Sequence, residues 1–187
     1  MKIGVLGLQG SVEEHFKSLE KCGVKPVLVK YPSDLSDIDG IILPGGESTT
    51  LGKLLHKQGL HEPLKSSIEN GMPVYGTCAG MILLAKEIDQ EEAQHLATMD
   101  IVVKRNAYGS QVDSFISKEN IDFISGDKKV ELVFIRAPKI QAHSDDVVVW
   151  KLNEDIVLAR QKNMMVTSFH PELTDDITIH KYFIDEI

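Results

Sequence analysis

Cysteine is scarce in this chain: two in 187 residues, Cys22 and Cys78. That argues against a disulfide framework, and free thiols fit a reducing, cytoplasmic compartment. Long apolar runs are missing too, and none approaches the ~18 residues a membrane span requires. Basic residues are outnumbered, 20 Lys and Arg against 28 Asp and Glu, for a net charge of −8. No Lys/Arg run stands out, which argues against a nucleic-acid-binding surface. The apolar opening, Met1 to Leu8, faintly mimics a signal peptide. Gln9 and the glycines interrupt it and no small-residue cleavage site follows, so it reads as a first strand. No internal repeat, low-complexity tract or linker is visible, and the length suits one domain over residues 1–187 with a substantial core.

What is present is an alternation. Lys2 to Leu8 reads as a buried strand and Gly7-Leu8-Gln9-Gly10 as a turn. Ser11 is placed to cap a helix, with Glu14 at the matching box position. Val12, Phe16 and Leu19 form its apolar stripe, and Gly23 ends it. Pro26 to Val29 and Ile38 to Leu43 read as strands. A helix with Leu51, Leu54 and Leu55 inward and another over Glu62 to Asn70 follow. Strand and helix on short loops predict a doubly wound α/β fold with a mostly parallel sheet and flanking helices. Beyond the first half, Lys86 to Met99 is polar and reads as irregular. Short strands at 101–103, 130–135, 147–152, 156–159 and 165–169 suggest an antiparallel extension, and 178–187 a closing helix.

One stretch organises the rest: Gly76-Thr77-Cys78-Ala79-Gly80, with β-favouring Met72 to Tyr75 before it and Met81 to Ala85 after it. A strand turning into a helix across Gly-x-Cys-x-Gly has the pattern of a nucleophile elbow with Cys in place of Ser. The turn is sharp, and a Cβ at either glycine would crowd it. The following helix points its N-terminal amides at the sulfur, a setting that favours the reactive thiolate. A lone Cys in a βα turn is more often structural, so the reading depends on a base.

Of seven histidines, His15, His56, His61, His95 and His180 read as solvated surface residues, and His143 as a loop residue without a carboxylate. His170 stands apart at the end of the apolar run Met165 to Phe169, followed by Pro171 and Glu172. Proline biases His170 toward extended backbone, where residues i and i+2 share a side, so Glu172 can lie beside the imidazole. The result is a candidate triad, Cys78, His170 and Glu172. Donors for an oxyanion are available in the backbone of Gly45 and Gly46, in Leu43-Pro44-Gly45-Gly46-Glu47-Ser48, and in the Ala79 N–H. A phosphate loop competes for that stretch, but no Gly-Lys-Ser/Thr follows it.

Gly-Thr-Cys-Ala-Gly with a later His-Pro-Glu resembles the class I glutamine amidotransferases. Gly4 to Gly10, Leu43 to Thr50, Arg105 to Phe115, Phe134 to Pro138 and Ser168 to Thr174 narrow this. Together, nearly end to end, they are similar to the glutaminase subunits of pyridoxal 5′-phosphate synthase. The resemblance implies that Cys78 attacks the side-chain amide of L-glutamine while His170 and Glu172 relay protons. It also implies that Gly46, Glu47, Ser48, Arg105, Ile135 and Arg136 bind the substrate. A free amino acid offers a carboxylate and an ammonium, which suit a guanidinium and a carboxylate. No metal or organic cofactor is called for.

The implied partner is a separate synthase subunit with a β/α-barrel fold, which joins ribose 5-phosphate, glyceraldehyde 3-phosphate and the released ammonia. It typically activates the glutaminase, and the Gln9-Gly10 turn is expected at the contact. Three features depart from the family pattern: Ser110 where Arg is usual, the segment 86–99, and a short C-terminal helix. Alternatives at this stage are a glutaminase serving another acceptor, a Cys hydrolase without ammonia transfer, and a catalytically silent scaffold.

Overall fold

The computed structural model describes residues 1–92, 94–107 and 114–186. Its first half alternates as the pattern predicts: β1 (Lys2–Leu6), α1 (Val12–Lys21), β2 (Lys25–Val29), β3 (Gly40–Leu43), α2 (Ser48–Lys57), α3 (His61–Glu69), β4 (Val74–Thr77) and α4 (Ala79–Leu84). The second half contributes β5 (Ala85–Ile88), β6 (Met99–Lys104), β7 (Ser114–Asn120), α5 (Asp122–Ser125), β8 (Lys129–Ile135) and β9 (Lys139–His143). It ends with β10 (Val148–Leu152), β11 (Asp155–Gln161), β12 (Met164–Thr167) and α6 (Thr178–Glu186). The main sheet runs β2-β1-β3-β4-β12-β11-β9-β6-β5, with β10 attached to β11.

From β2 to β12 every neighbour is parallel. Beyond β12 the sheet becomes mixed, because β11 runs antiparallel to β12 and to β9. In the parallel half successive side chains alternate between two buried cores. Leu6, Leu43 and Val74 join α2, α3 and α4 on one face. Val5, Ile42 and Tyr75 join Leu19 of α1, Phe183 of α6 and Leu132 of β8 on the other. With helices on both faces, this is the expected doubly wound α/β arrangement. No helix among the described residues is long and apolar enough to cross a membrane.

Four local readings are corrected. The run 165–169 does not extend the antiparallel edge, for β12 pairs parallel with β4 in the middle of the sheet. Residues 130–135 leave the main sheet and pair with β7 in a two-stranded ribbon. Val130, Leu132 and Phe134 of that ribbon cover the α1/α6 face, which is what makes it stable. The segment 86–99 is not wholly irregular, because β5 pairs parallel with β6. Ser11 makes no side-chain cap for α1; its hydroxyl goes to a carboxylate of the cleft.

β3, β4 and β12 are adjacent, with Leu43 opposite Gly76 and Thr167 opposite Thr77. Their C-terminal ends therefore open side by side, and in open α/β sheets that edge carries the binding crevice.

Candidate active site

Each of those three strands delivers one part of a cleft of about 500 Å³. β4 delivers Cys78. Its backbone sits at φ 48° and ψ −100°, a strained conformation for a residue with a side chain. Packing enforces it. A Cβ on Gly80 would lie 2.1 Å from the Leu43 carbonyl oxygen, and one on Gly76 would lie 2.6 Å from the Gly80 carbonyl carbon. Both glycines let the chain turn back between β3 and β4. The Cys78 N–H donates to the Thr167 carbonyl at 2.8 Å, tying the turn to β12.

β12 delivers His170 and Glu172. The Nδ1 of His170 lies 2.8 Å from Glu172 Oε1. The two meet through a 3₁₀ turn over Pro171–Leu173, not through the extended backbone that the proline suggested. Glu172 is 5% exposed and His170 8%. Burial alone would push the imidazole down, but hydrogen bonds to Cys78 and Glu172 outweigh it and raise its pKa to about 10. Burial pushes the Glu172 carboxyl up, and His15, His170 and Ser11 together overcome that and hold it at about 2. The Ser11 hydroxyl donates to Glu172 Oε1 at 2.7 Å, which explains why it does not cap α1.

β3 delivers the glycine loop. A Cβ on Gly45 would lie 2.4 Å from His170 Cε1, so only glycine admits the imidazole there. The Gly45 carbonyl accepts from the Ser11 N–H at 3.2 Å. In a trans peptide C=O and N–H point opposite ways, so the Gly46 N–H faces away from Ser11. Gln9 Oε1 accepts from the Glu47 N–H at 2.9 Å, fixing the far side of the loop.

The mouth carries the charged residues. The Glu47 carboxylate accepts from the Thr49 and Thr50 amides and the Thr50 hydroxyl, capping α2. Those bonds, the Thr50 hydroxyl foremost, hold its pKa at about 2. Arg105 lies 3.3 Å from Glu47, 3.1 Å from Glu91 and 3.3 Å from Thr49 Oγ1. Ser48 Oγ is buried with no hydrogen-bond partner among the described residues. Gly45, Gly46, Glu47, Ser48, Cys78, Ala79, Arg105, Ile135, Arg136 and His170 all line the cleft, and Glu172 stands behind His170. Ser110 lies outside the described residues.

The chain matches the SNO glutamine amidotransferase family over residues 5–187. It belongs to that family. It is 57% identical to a pyridoxal 5′-phosphate synthase subunit PdxT from Clostridium botulinum (strain Loch Maree / Type A3), covering 100% of this chain and 97% of that one. It is 53% identical to the PdxT subunit of Carboxydothermus hydrogenoformans, over 100% and 98% of the two chains. A crystal structure of a glutamine amidotransferase superposes with a TM-score of 0.92 at 39% identity, covering 98% and 97%. Another glutamine amidotransferase, from Thermotoga maritima, shares the fold at a TM-score of 0.60 and 14% identity, over 91% and 75%. The motif-based resemblance is borne out, and this glutamine amidotransferase has the family's α/β architecture.

Two histidines read as surface residues are corrected: His15 and His180 are fully buried. His15 falls on the same helical stripe as Val12, Phe16 and Leu19, a signal present in the sequence. Gln9, Ser11 and Asn106 also line the cleft without having been singled out for the site.

Proposed function

We propose that this amidotransferase hydrolyses L-glutamine to L-glutamate and ammonia, and hands the ammonia to a separate synthase subunit for pyridoxal 5′-phosphate formation. One observation carries the chemistry: a strained Cys78 shares a cleft with a buried His170–Glu172 pair. With the proton on His170, the sulfur of Cys78 attacks the carboxamide carbon. The oxyanion is held by backbone amides of the Gly45-Gly46 loop and Ala79. His170 protonates the departing nitrogen, the C–N bond breaks and ammonia leaves. Water then gives a proton to His170 and its oxygen attacks the γ-glutamyl thioester, releasing glutamate and restoring Cys78.

Substrate recognition falls to the mouth. Arg105 and Arg136 suit the α-carboxylate, while Glu47 and the Ser48 hydroxyl, which has no partner among the described residues, suit the ammonium and amide. Ile135, at the rim, closes over the side-chain methylenes.

The synthase subunit is a β/α barrel that docks over the cleft mouth, where Ile135 and Leu173 are 39% and 43% exposed. With Cys22 and Cys78 both unpaired, the cytoplasm is the compartment that fits.

The test is ammonia release from glutamine with and without the synthase subunit, together with formation of pyridoxal 5′-phosphate. The proposal expects turnover that rises on mixing and product that depends on both chains. Glutamine turnover without any product in the mixture would point to another acceptor.

A further inference from the structure

Behind Glu172 lies a buried cluster that the glutaminase steps do not use. His15 of α1 and His180 of α6 are both shielded completely from solvent. Their rings are tilted by 60°, with His15 Nδ1 3.0 Å from His180 Nε2. The other ring nitrogen of His15, Nε2, lies 3.3 Å from Thr77 Oγ1 and 3.6 Å from Glu172 Oε1. Thr77 is the residue immediately before Cys78. His180 Nδ1 has no hydrogen-bond partner among the described residues.

Proton placement follows from this geometry. Burial lowers both imidazoles, His180 to about 3, so both are neutral near neutral pH. Two neutral rings meeting nitrogen to nitrogen share one proton at the contact. If His15 Nδ1–H donated to His180, the His15 Nε2 lone pair could accept from the Thr77 hydroxyl but would also face the Glu172 carboxylate 3.6 Å away. His180 would also bury an N–H with no acceptor among the described residues, which costs more than leaving a lone pair unused. If His180 Nε2–H donates to His15, both problems vanish. His15 then carries its proton on Nε2, aimed between Thr77 and Glu172, and His180 is left with an unused acceptor lone pair in place of a buried donor.

We infer that His15, locked by His180 in its Nε2–H form, is a positioning residue for the triad. Its N–H donates to the Thr77 hydroxyl, next to Cys78, and turns its positive end toward the Glu172 carboxylate 3.6 Å away, beyond hydrogen-bond reach. Because His15 is neutral, it offers a fixed dipole and not a full charge. It thereby offsets part of the cost of burying Glu172 without competing with His170 for the carboxylate's ion pairing. The catalytic consequence rests on the Cys78-His170-Glu172 triad of the proposed function, whereas the tautomer assignment does not. The titratable groups facing the cluster are Glu172 and His170, Glu14 on α1 itself, Tyr75 of β4 and His180 of α6.

Ring-nitrogen NMR on the full chain tests the proton placement directly. His15 and His180 should both appear as neutral Nε2–H tautomers across roughly pH 6 to 8, the window in which an ordinary histidine titrates. A His15 proton on Nδ1, or a charged His15, would overturn the inference.

Kinetics with the synthase subunit present test its consequence. His15→Leu should lower kcat about 10- to 100-fold, the scale of a misplaced catalytic group. KM for glutamine should change by no more than about 2-fold, since the mouth is untouched. The acid limb of the kcat/KM profile should move to higher pH, because the ionised Glu172 loses the N–H dipole that faces it at 3.6 Å. His15→Gln, whose amide N–H reaches the Nε2 position, should recover much of kcat and return the limb. If both variants lose folded protein equally and the limb stays in place, the role is structural only and the inference fails. If His15→Leu does not fold, the wild-type NMR result decides alone. Absence of glutamine turnover in the wild-type mixture would instead overturn the proposed function and leave the tautomer assignment standing.

Discussion

Glu172 and Glu47 are both carboxylates of the cleft, each beside a cationic partner and each held at a pKa of about 2, yet they are built differently. Glu172 is 5% exposed and its stabilisation must overcome desolvation. The Glu47 side chain is 49% exposed, and hydrogen bonds from the first turn of α2 account for its low value. In the buried case, removing one partner strands a charge away from water, so each member of the network matters. At the mouth, water replaces a lost partner and salt screens the pair. The contrast suits a division of labour. On the proposed reading the back of the cleft fixes a geometry for chemistry, while the exposed pairs of Arg105 with Glu47 and Glu91 leave it free to exchange them for a substrate carboxylate.

The sharpest way to break this contrast lies at the back of the cleft. Cys78→Ala should abolish ammonia release, by about 10⁴-fold or more as for other triad nucleophiles. The protein should still fold, with stability lowered only by loss of the Cys78 hydrogen bond to His170, since the sulfur's contact with the Ile135 carbonyl is a weak one at 4.0 Å. Retained turnover would refute the nucleophile assignment.

Glu172→Gln should come next, with kcat down by about 10²- to 10⁴-fold, since the amide cannot hold the imidazole in the correct charge state. It should also change stability in a pH-dependent way. His170 has its folded pKa raised from 6.5 to about 10, so its contribution is full below 6.5 and is lost as pH rises toward 10. Glu172 is depressed from 4.5 to about 2, so its contribution is full above 4.5 and is lost as pH falls toward 2. The melting-temperature gap between wild type and Glu172→Gln should therefore be widest between pH 4.5 and 6.5 and narrow on both sides. A flat gap would mean that the pair does not carry the linkage.

At the mouth the effects should be smaller and of another kind. Arg105→Ala should raise KM for glutamine about 10- to 100-fold, the value of one charge-assisted hydrogen bond, with little change in kcat. Glu91→Gln should move KM by no more than about 3-fold, and less at high salt, as expected of a screened surface pair. An effect of Glu91→Gln as large as that of Glu172→Gln would erase the distinction between the two walls.

The parts of the site that obey local rules were legible in the sequence. Gly-x-Cys-x-Gly marks a strained elbow because Gly76 and Gly80 permit a close approach, and the structure shows the atoms approached, the Gly80 backbone by Gly76 and Leu43 by Gly80. Glu172 was placed beside His170 for a mistaken local reason, since a 3₁₀ turn, and not extended backbone, brings them together. What depends on distant segments was missed. Ser11 looks like a helix cap from its neighbours, but its hydroxyl serves a carboxylate 161 residues away. His15 and His180 look solvated one at a time and become a buried pair only when α1 and α6 pack on the same face of the sheet. β7 escaped notice because it is a polar strand of a ribbon that covers one face, with outward positions alternating along it.

The central claim is that glutamine opened at Cys78 supplies nitrogen to a second chain. Amide-labelled glutamine given to the mixed subunits, in the presence of excess unlabelled ammonia, tests it directly. The account predicts that the pyridoxal 5′-phosphate formed carries the label in its ring nitrogen, and that Cys78→Ala yields only unlabelled product. Product that is unlabelled with the wild-type chain would contradict it.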